Sequence, residues 1–313
     1  MRCHLPAFSR KVRRYAAAAA FGTLLAVEPF GCASSNTAAI QGRISSMLVG
    51  DERQDAEKAL GTALSNAPMD SRRVIERIPE HLEAGRTLAR ELGEENNEVN
   101  AVNFAYGIAA IGEQNVRELH EHYGIRFFMR YSRATLGELI NNMRESDSRP
   151  LLLAAFNKND WNSAFYREGM GIETLLRHYR VIIVEVANEG EFYSRVRGVG
   201  QTRISALLLA GHGQADSVQL GAATEEGRID TTDQNELESL REFLVPRPLV
   251  ILISCSTGES EKAVGSVIAS ALRATLYAPV TPSSRTDFHL DASGRIESVS
   301  YDVETRRFVG SGG

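Results

Sequence analysis

Two apolar runs constrain this chain most: Ala206-Leu-Leu-Leu-Ala-Gly-His212-Gly213 and Leu249-Val-Ile-Leu-Ile-Ser-Cys255-Ser-Thr-Gly258. Each has the unbroken hydrophobicity of a strand buried on both faces, and each halts at a reactive side chain set among small residues. Similar runs occupy Pro150–Phe156, Val181–Val186 and Ala274–Val280, with helix-patterned stretches between them. Strands with no polar face, alternating with helices, need a parallel sheet covered on both sides. The expected fold class is α/β, a doubly wound, mainly parallel sheet with helices on both faces.

The remaining elements follow from the same reading. Ile125–Tyr131 is predicted as a further strand, and Leu136–Met143, Ser163–Tyr179, Glu191–Val196 and Glu261–Leu272 as helices. Thr231-Thr-Asp-Gln234 has the character of a capping box opening another helix, whose apolar stripe is Leu237, Leu240, Phe243 and Leu244. Upstream, residues 43–121 are rich in Ala, Leu, Glu and Arg and read as an all-α region. Val74, Ile78, Leu82, Leu88 and Leu92 form a helix face there, with breaks expected near Pro79 and Gly85. Asn100–Ile111 and Gly112–His120 are further helix candidates. The expected organisation is an export signal over 1–31, a tether over 32–42, the helical region over 43–121 and the α/β domain over 122–313.

The N-terminus reads as an address. Arg2, Arg10, Lys11, Arg13 and Arg14 precede the apolar stretch Ala16–Val27, and small residues follow at Gly31-Cys32-Ala33. Basic, then apolar, then small is the pattern of a secretory signal. Gly31-Cys32 resembles a bacterial lipobox, which would make Cys32 the lipid-bearing first residue of the mature protein. An uncleaved anchor and an organellar transit peptide are the alternatives. The expected location is the bacterial cell envelope, with membrane contact only through that lipid. Of the three cysteines, Cys3 and Cys32 belong to this segment, so Cys255 stands alone in the body of the chain with no partner for a disulfide.

Composition narrows the function. A net charge of −5 leaves no basic footprint for nucleic acid. No Walker motif, no Gly-x-Gly-x-x-Gly turn after a strand and no Gly-x-Ser-x-Gly elbow occurs, so neither a nucleotide site nor a serine hydrolase is expected. Position 261 is Glu where a tyrosine-phosphatase loop needs Arg. His120 and His122 lie two apart on a helix and diverge, so no metal site and no cofactor are expected. What remains is a thiol and an imidazole, both at the C-terminal ends of parallel strands, where open α/β sheets bind ligands. A thiol reacts as thiolate, which a neighbouring imidazole can generate, so His212 and Cys255 are the candidate catalytic pair.

Those two segments, 43 positions apart, resemble the caspase-like cysteine peptidases, and the Ser-Cys-Ser-Thr-Gly sequence is most similar to the bacterial CHAT form. The resemblance spans about 150–280. It implies a caspase-like fold over 122–313 and an endopeptidase in which Cys255 attacks a peptide carbonyl and His212 protonates the leaving amine. The N–H groups of Gly213 and Cys255 would bind the oxyanion. The resemblance also places Asn157-Lys-Asn-Asp160-Trp-Asn162 near the pocket for the residue before the scissile bond. Asp160 then has two readings: selector of a basic substrate residue, or cap of the following helix. Asp216 is a second substrate-binding candidate, while Asp230 and Asp233 read as helix initiation. The expected partner is a protein or peptide substrate. Two other functions stay open: a silent caspase-like binding module whose helical region recruits a protein, and a cysteine hydrolase or acyltransferase on non-peptide substrates.

Overall fold

The structure is a computed structural model that describes residues 34–50, 53–144, 148–158, 160, 164–200, 202–221 and 224–310. By its contacts the chain divides into Met1–Ala39 and Ile40–Gly313. Of the first unit only the opening of helix α1 (Ser34–Ser45) is described. The expected export signal and Cys32 lie outside the described residues. The expected tether is largely helix. Ile40, Ile44 and Leu48 recur every fourth residue, and Ile44 and Leu48 are buried in the core.

The helical region consists of α2 (Arg53–Asn66), α3 (Met69–Ile75), α4 (Ile78–Glu91), α5 (Glu98–Ile111) and α6 (Glu113–Tyr123). The break expected near Pro79 is present, since α3 ends at Ile75 and α4 begins at Ile78. Pro79 itself sits in the first turn of α4, where its missing N–H costs nothing. Gly85 lies mid-helix, and its role is contact: a Cβ there would sit 2.5 Å from Ala101 O and 2.7 Å from Ala105 N of α5. Its bare Cα lets α4 and α5 cross at close range. Asn97 caps α5 by accepting the N–H of Asn100 at 2.8 Å.

Then the α/β part begins. Ile125–Tyr131 is not the strand expected. It is an irregular stretch closing in a 3₁₀ turn over Phe128–Arg130. Its apolar residues are buried without strand pairing, because Arg126 and Arg130 point at acidic partners rather than along a sheet face. After α7 (Arg133–Arg144) come β1 (Leu151–Asn157), α8 (Tyr166–Gly171), β2 (Arg180–Val186), α9 (Glu189–Arg197) and β3 (Ile204–Ala210). Next is a small antiparallel sheet of β4 (His212–Gln214), β5 (Ser217–Gln219) and β6 (Arg228–Asp230). The chain continues through α10 (Gln234–Ser239), β7 (Leu244–Ile253), α11 (Val264–Leu272) and β8 (Thr275–Pro279). A β9–β10 hairpin (Thr286–Leu290, Ile296–Tyr301) and β11 (Thr305–Val309) finish the described chain.

The main sheet runs β11-β8-β7-β3-β1-β2, parallel throughout except for β11. All seven residues of β1 are buried, so both faces of the sheet are covered. The helical region and the sheet share one continuous hydrophobic core. The chain order reverses between β1 and β3, since β2 lies on one side of β1 and β3 on the other. That reversal opens a crevice at the carboxyl ends of those strands.

Behind β2, Asn188 caps α9 by accepting the N–H of Glu191 at 2.8 Å. The next residue, Glu189, faces Asp233 at the start of α10. Burial, and then the negative charge of Asp233, push the Glu189 carboxyl up to about 7 from its ordinary 4.5, and Asp233 is also raised, chiefly by burial. A carboxyl raised in the native state binds more protons there than in the unfolded chain. Stability therefore falls as pH rises from about 4.5 to 7. Glu189→Gln removes the repulsion. Its thermal midpoint is expected to exceed that of the wild type at about pH 8, and the gain to shrink towards about pH 5, in unfolding scans across pH.

Candidate functional site

Three neighbouring strands of the sheet end in three residues of interest. Asp160 follows β1, His212 follows β3 and Cys255 follows β7, so all three stand at the carboxyl end, on and beside the β1/β3 crevice. The β3–β7 register pairs Ala210 with Ile253, and the N–H of Gly211 donates to Ile253 O at 3.2 Å. His212 and Cys255 are thus each the second residue beyond paired positions on adjacent strands. Gly213 shows how close the two strand ends come: a Cβ there would lie 2.6 Å from Cys255 N and 2.7 Å from the carbonyl carbon of Ser254. Only glycine allows this approach, which also brings together the backbones expected to bind an oxyanion.

The turn after β7 is strained. Ser256 has φ of +60°, in the left-handed region that a residue with a Cβ rarely adopts. Several bonds hold it there: Thr257 Oγ1 donates to Ser254 O at 2.9 Å, Gly258 N to Pro279 O at 2.9 Å, and Gly265 N to Thr257 O at 3.2 Å. Val264 N donates to Ala215 O at 2.8 Å, tying this turn to the one after β4. The half-buried Cys255 is carried on a fixed elbow, next to the fully buried Ile251 and Leu252 of its own strand.

His212 has its Nε2 4.0 Å from Asp160 Oδ1, a Coulombic rather than hydrogen-bonding separation, and its ring lies 5.3 Å from that of Phe165. Burial draws the imidazole below its ordinary pKa of 6.5; Asp160 opposes this and Arg130 adds to it. The histidine is therefore neutral at pH 7, the form that accepts a proton.

The carboxylate of Asp160 has no solvent-exposed surface. Oδ1 accepts the N–H of Ala164 at 2.9 Å, and Oδ2 accepts the N–H of Phe165 at 3.2 Å and meets Arg130 Nη2 at 3.2 Å. Enclosed in this way it has no face to offer a substrate's guanidinium. Of its two readings, the structure favours the one that caps the chain entering α8, with the added position beside His212. Asp216 sits on the exposed turn between β4 and β5, bonded to Ser217 Oγ at 3.1 Å, and does not line the cleft beside His212. That cleft, of about 100 Å³, is lined by Ser217 together with His212, Gly213, Gln214, Gln219, Thr224 and Arg228. Asp230 and Asp233 bracket the start of α10: Asp233 Oδ2 accepts the N–H of Asp230, and Asp230 Oδ1 that of Thr232, each at 2.7 Å.

Arg130, Glu185 and Tyr131 went unnoticed in the sequence, yet they hold Asp160 in place. Arg130 is fully buried, with Nη1 3.0 Å from Glu185 Oε1 as well as its bond to Asp160. Its guanidinium lies over Phe127, Phe156 and Tyr166. Burial opposes its charge, but Glu185 and Asp160 outweigh that and raise its pKa. Glu185, on β2, also accepts the Tyr131 hydroxyl at 2.8 Å and the N–H groups of Arg126 and Phe127 at 2.8 and 3.1 Å. A signal was present: a glutamate inside an otherwise apolar buried strand demands a partner.

Arg130→Met is expected to lower stability by about 3–5 kcal/mol, because it strands two buried carboxylates. Urea unfolding measures this, and a loss under about 1 kcal/mol would contradict a network of fully desolvated charges. Among known proteins, no family model matches this chain, and no curated protein matches it at a significant level.

Proposed function

We propose that this chain is an exported cysteine endopeptidase of the caspase-like type, with Cys255 as nucleophile, His212 as acid–base and Asp160 as a positioning residue. One observation carries the reading: the backbone of Gly213 lies against that of Cys255, so imidazole and thiol arise side by side from aligned strand ends. The strained elbow at Ser256 and the neutral state of His212 support it.

In this mechanism His212 takes the thiol proton as Cys255 Sγ bonds to the peptide carbonyl carbon, and the carbonyl oxygen becomes an oxyanion beside the Gly213 and Cys255 backbones. Collapse breaks the C–N bond, and the leaving amine receives the proton from His212. Water, losing a proton to His212, then adds to the thioester; its collapse releases the acid and returns the proton to sulfur. Asp160, 4.0 Å from Nε2, stabilises the imidazolium that forms in each half-reaction without accepting a proton itself. Export and lipidation of Cys32 belong to the same proposal and rest on the basic–apolar–small order of the first 33 residues. The mass of the natively purified N-terminus tests them.

An electrophilic probe directed at thiol peptidases is expected to label the wild type and not Cys255→Ala, and a fluorogenic peptide library to yield turnover. A protein that is neither labelled nor turns over peptides is a binding module instead. Asp160→Asn keeps the cap acceptor but loses the charge. Since Asp160 raises the His212 pKa, the variant's acid limb is expected to move to lower pH. Its kcat is expected to fall by about tenfold or more with KM little changed. A changed KM with an unmoved pH profile would assign Asp160 a purely structural role.

A further inference from the structure

We propose that the opposite end of the sheet carries a separate binding site for a phosphate-bearing polyanion, built from Arg203, Arg241, Arg247 and Arg273. These four arginines line one cleft of about 340 Å³, floored by Leu244 and Leu272. Arg203 immediately precedes β3, Arg247 lies at the start of β7, and Arg273 closes α11 just before β8. All three therefore flank the amino ends of neighbouring parallel strands, and two of those strands, β3 and β7, carry His212 and Cys255 at their carboxyl ends. Along β3 alone, Arg203 and His212 are nine positions apart, roughly 30 Å of extended chain. A ligand here does not touch the candidate catalytic pair.

Three observations make this more than a patch of surface charge. The first is pairing. Arg241 is held by Glu238, whose Oε1 lies 3.3 Å from its Nη2, and its Nε donates to Ala271 O. Arg203, Arg247 and Arg273 have no acidic partner among the described residues, although the chain as a whole carries a net charge of −5. The second is backbone strain. Among the described residues only three non-glycine positions have positive φ; one is Ser256 beside Cys255, and the other two are Arg247 at +57° and Arg273 at +53°. At Arg273 this is the left-handed cap that ends α11, while at Arg247 it falls inside a strand, where strain of this kind gathers when a side chain must be aimed. The third is the local fold. Between paired positions, β3 advances two residues (204 to 206) while β7 advances five (244 to 249). This bulge carries Pro246-Arg247-Pro248 and turns Arg247 towards the cleft.

The ligand class follows from the donors. Planar guanidinium forks on exposed side chains lining one cleft suit the oxygens of phosphate groups, each taking paired, charge-assisted hydrogen bonds. Three free cations in one cleft call for at least two such groups on one compact molecule. An extended nucleic acid would need a longer basic stripe.

The test uses the full chain and inorganic tripolyphosphate, titrated calorimetrically at roughly 0.15 M salt, where non-specific surface attraction is screened. Saturable binding at a single site is expected. Arg247→Gly and Arg273→Gly each remove a cation while installing the residue that suits a left-handed φ, so the fold is retained. Each is expected to weaken binding about tenfold, the loss of one charge-assisted contact, and the double variant to abolish it. Co-sedimentation with phosphatidylcholine vesicles, with and without phosphatidylinositol bisphosphate, distinguishes the ligand's source. Binding of the lipid-doped vesicles in preference to tripolyphosphate assigns a membrane headgroup, and the reverse a soluble polyphosphate. No saturable binding of either, or binding that survives in the double variant, would overturn the proposal.

Discussion

The Arg130 guanidinium is the interaction on which most of this architecture depends. It is wholly buried and joins three parts of the chain: the stretch leaving the helical region, the end of β2 through Glu185, and the loop after β1 through Asp160. An ion pair of this kind adds little net stability, since desolvation offsets most of the attraction. Its effect is on geometry. Once the charges are inside, each must keep its partner, so Asp160 cannot turn to solvent and the chain around Phe128–Arg130 cannot become a strand. Gly169 reflects the same constraint, because a Cβ there would meet Arg130 Cγ at 2.5 Å.

This arrangement passes from the core to the candidate site in one step. Asp160 binds Arg130 on one side and faces His212 on the other. The electrostatic state of the imidazole is a balance of burial, a carboxylate and the guanidinium that holds that carboxylate. A site whose charges are set by groups locked in the core needs little rearrangement during reaction, the condition under which fixed dipoles and charges are most effective. The sheet contributes the rest: adjacent parallel strands in register bring residues 43 positions apart in sequence side by side.

Much of the fold was legible because its signals are local. β1, β2, β3, β7 and β8 announced themselves as apolar runs, and α5, α6, α7 and α9 as periodic or capped segments. The small β4-β5-β6 sheet and the β9–β10 hairpin were not, since their strands are short and polar and exist through pairing and contact rather than propensity. Tyr301 illustrates this. Its hydroxyl donates to Leu252 O at 2.8 Å and lies 3.0 Å from Tyr277 O, fastening the hairpin to the sheet across long sequence separations. Ile125–Tyr131 misled for the converse reason: its β-like composition was overruled by Arg126 and Arg130, whose partners lie far along the chain.

The sequence by itself determined that an imidazole and a thiol would stand at the carboxyl ends of two buried parallel strands, because hydrophobic continuity and its abrupt end are local properties. It left the meaning of Asp160 open between a substrate pocket and a cap. Only the tertiary structure decided its surroundings, which favour the cap, by enclosing the carboxylate between Arg130, two backbone N–H groups and His212. The grouping of Arg203, Arg241, Arg247 and Arg273 into one cleft was likewise beyond the sequence. The physical reason is common to both. Burial forces a charge to find a partner, and a sheet gathers strand ends, but which residues meet is set by strand order and register.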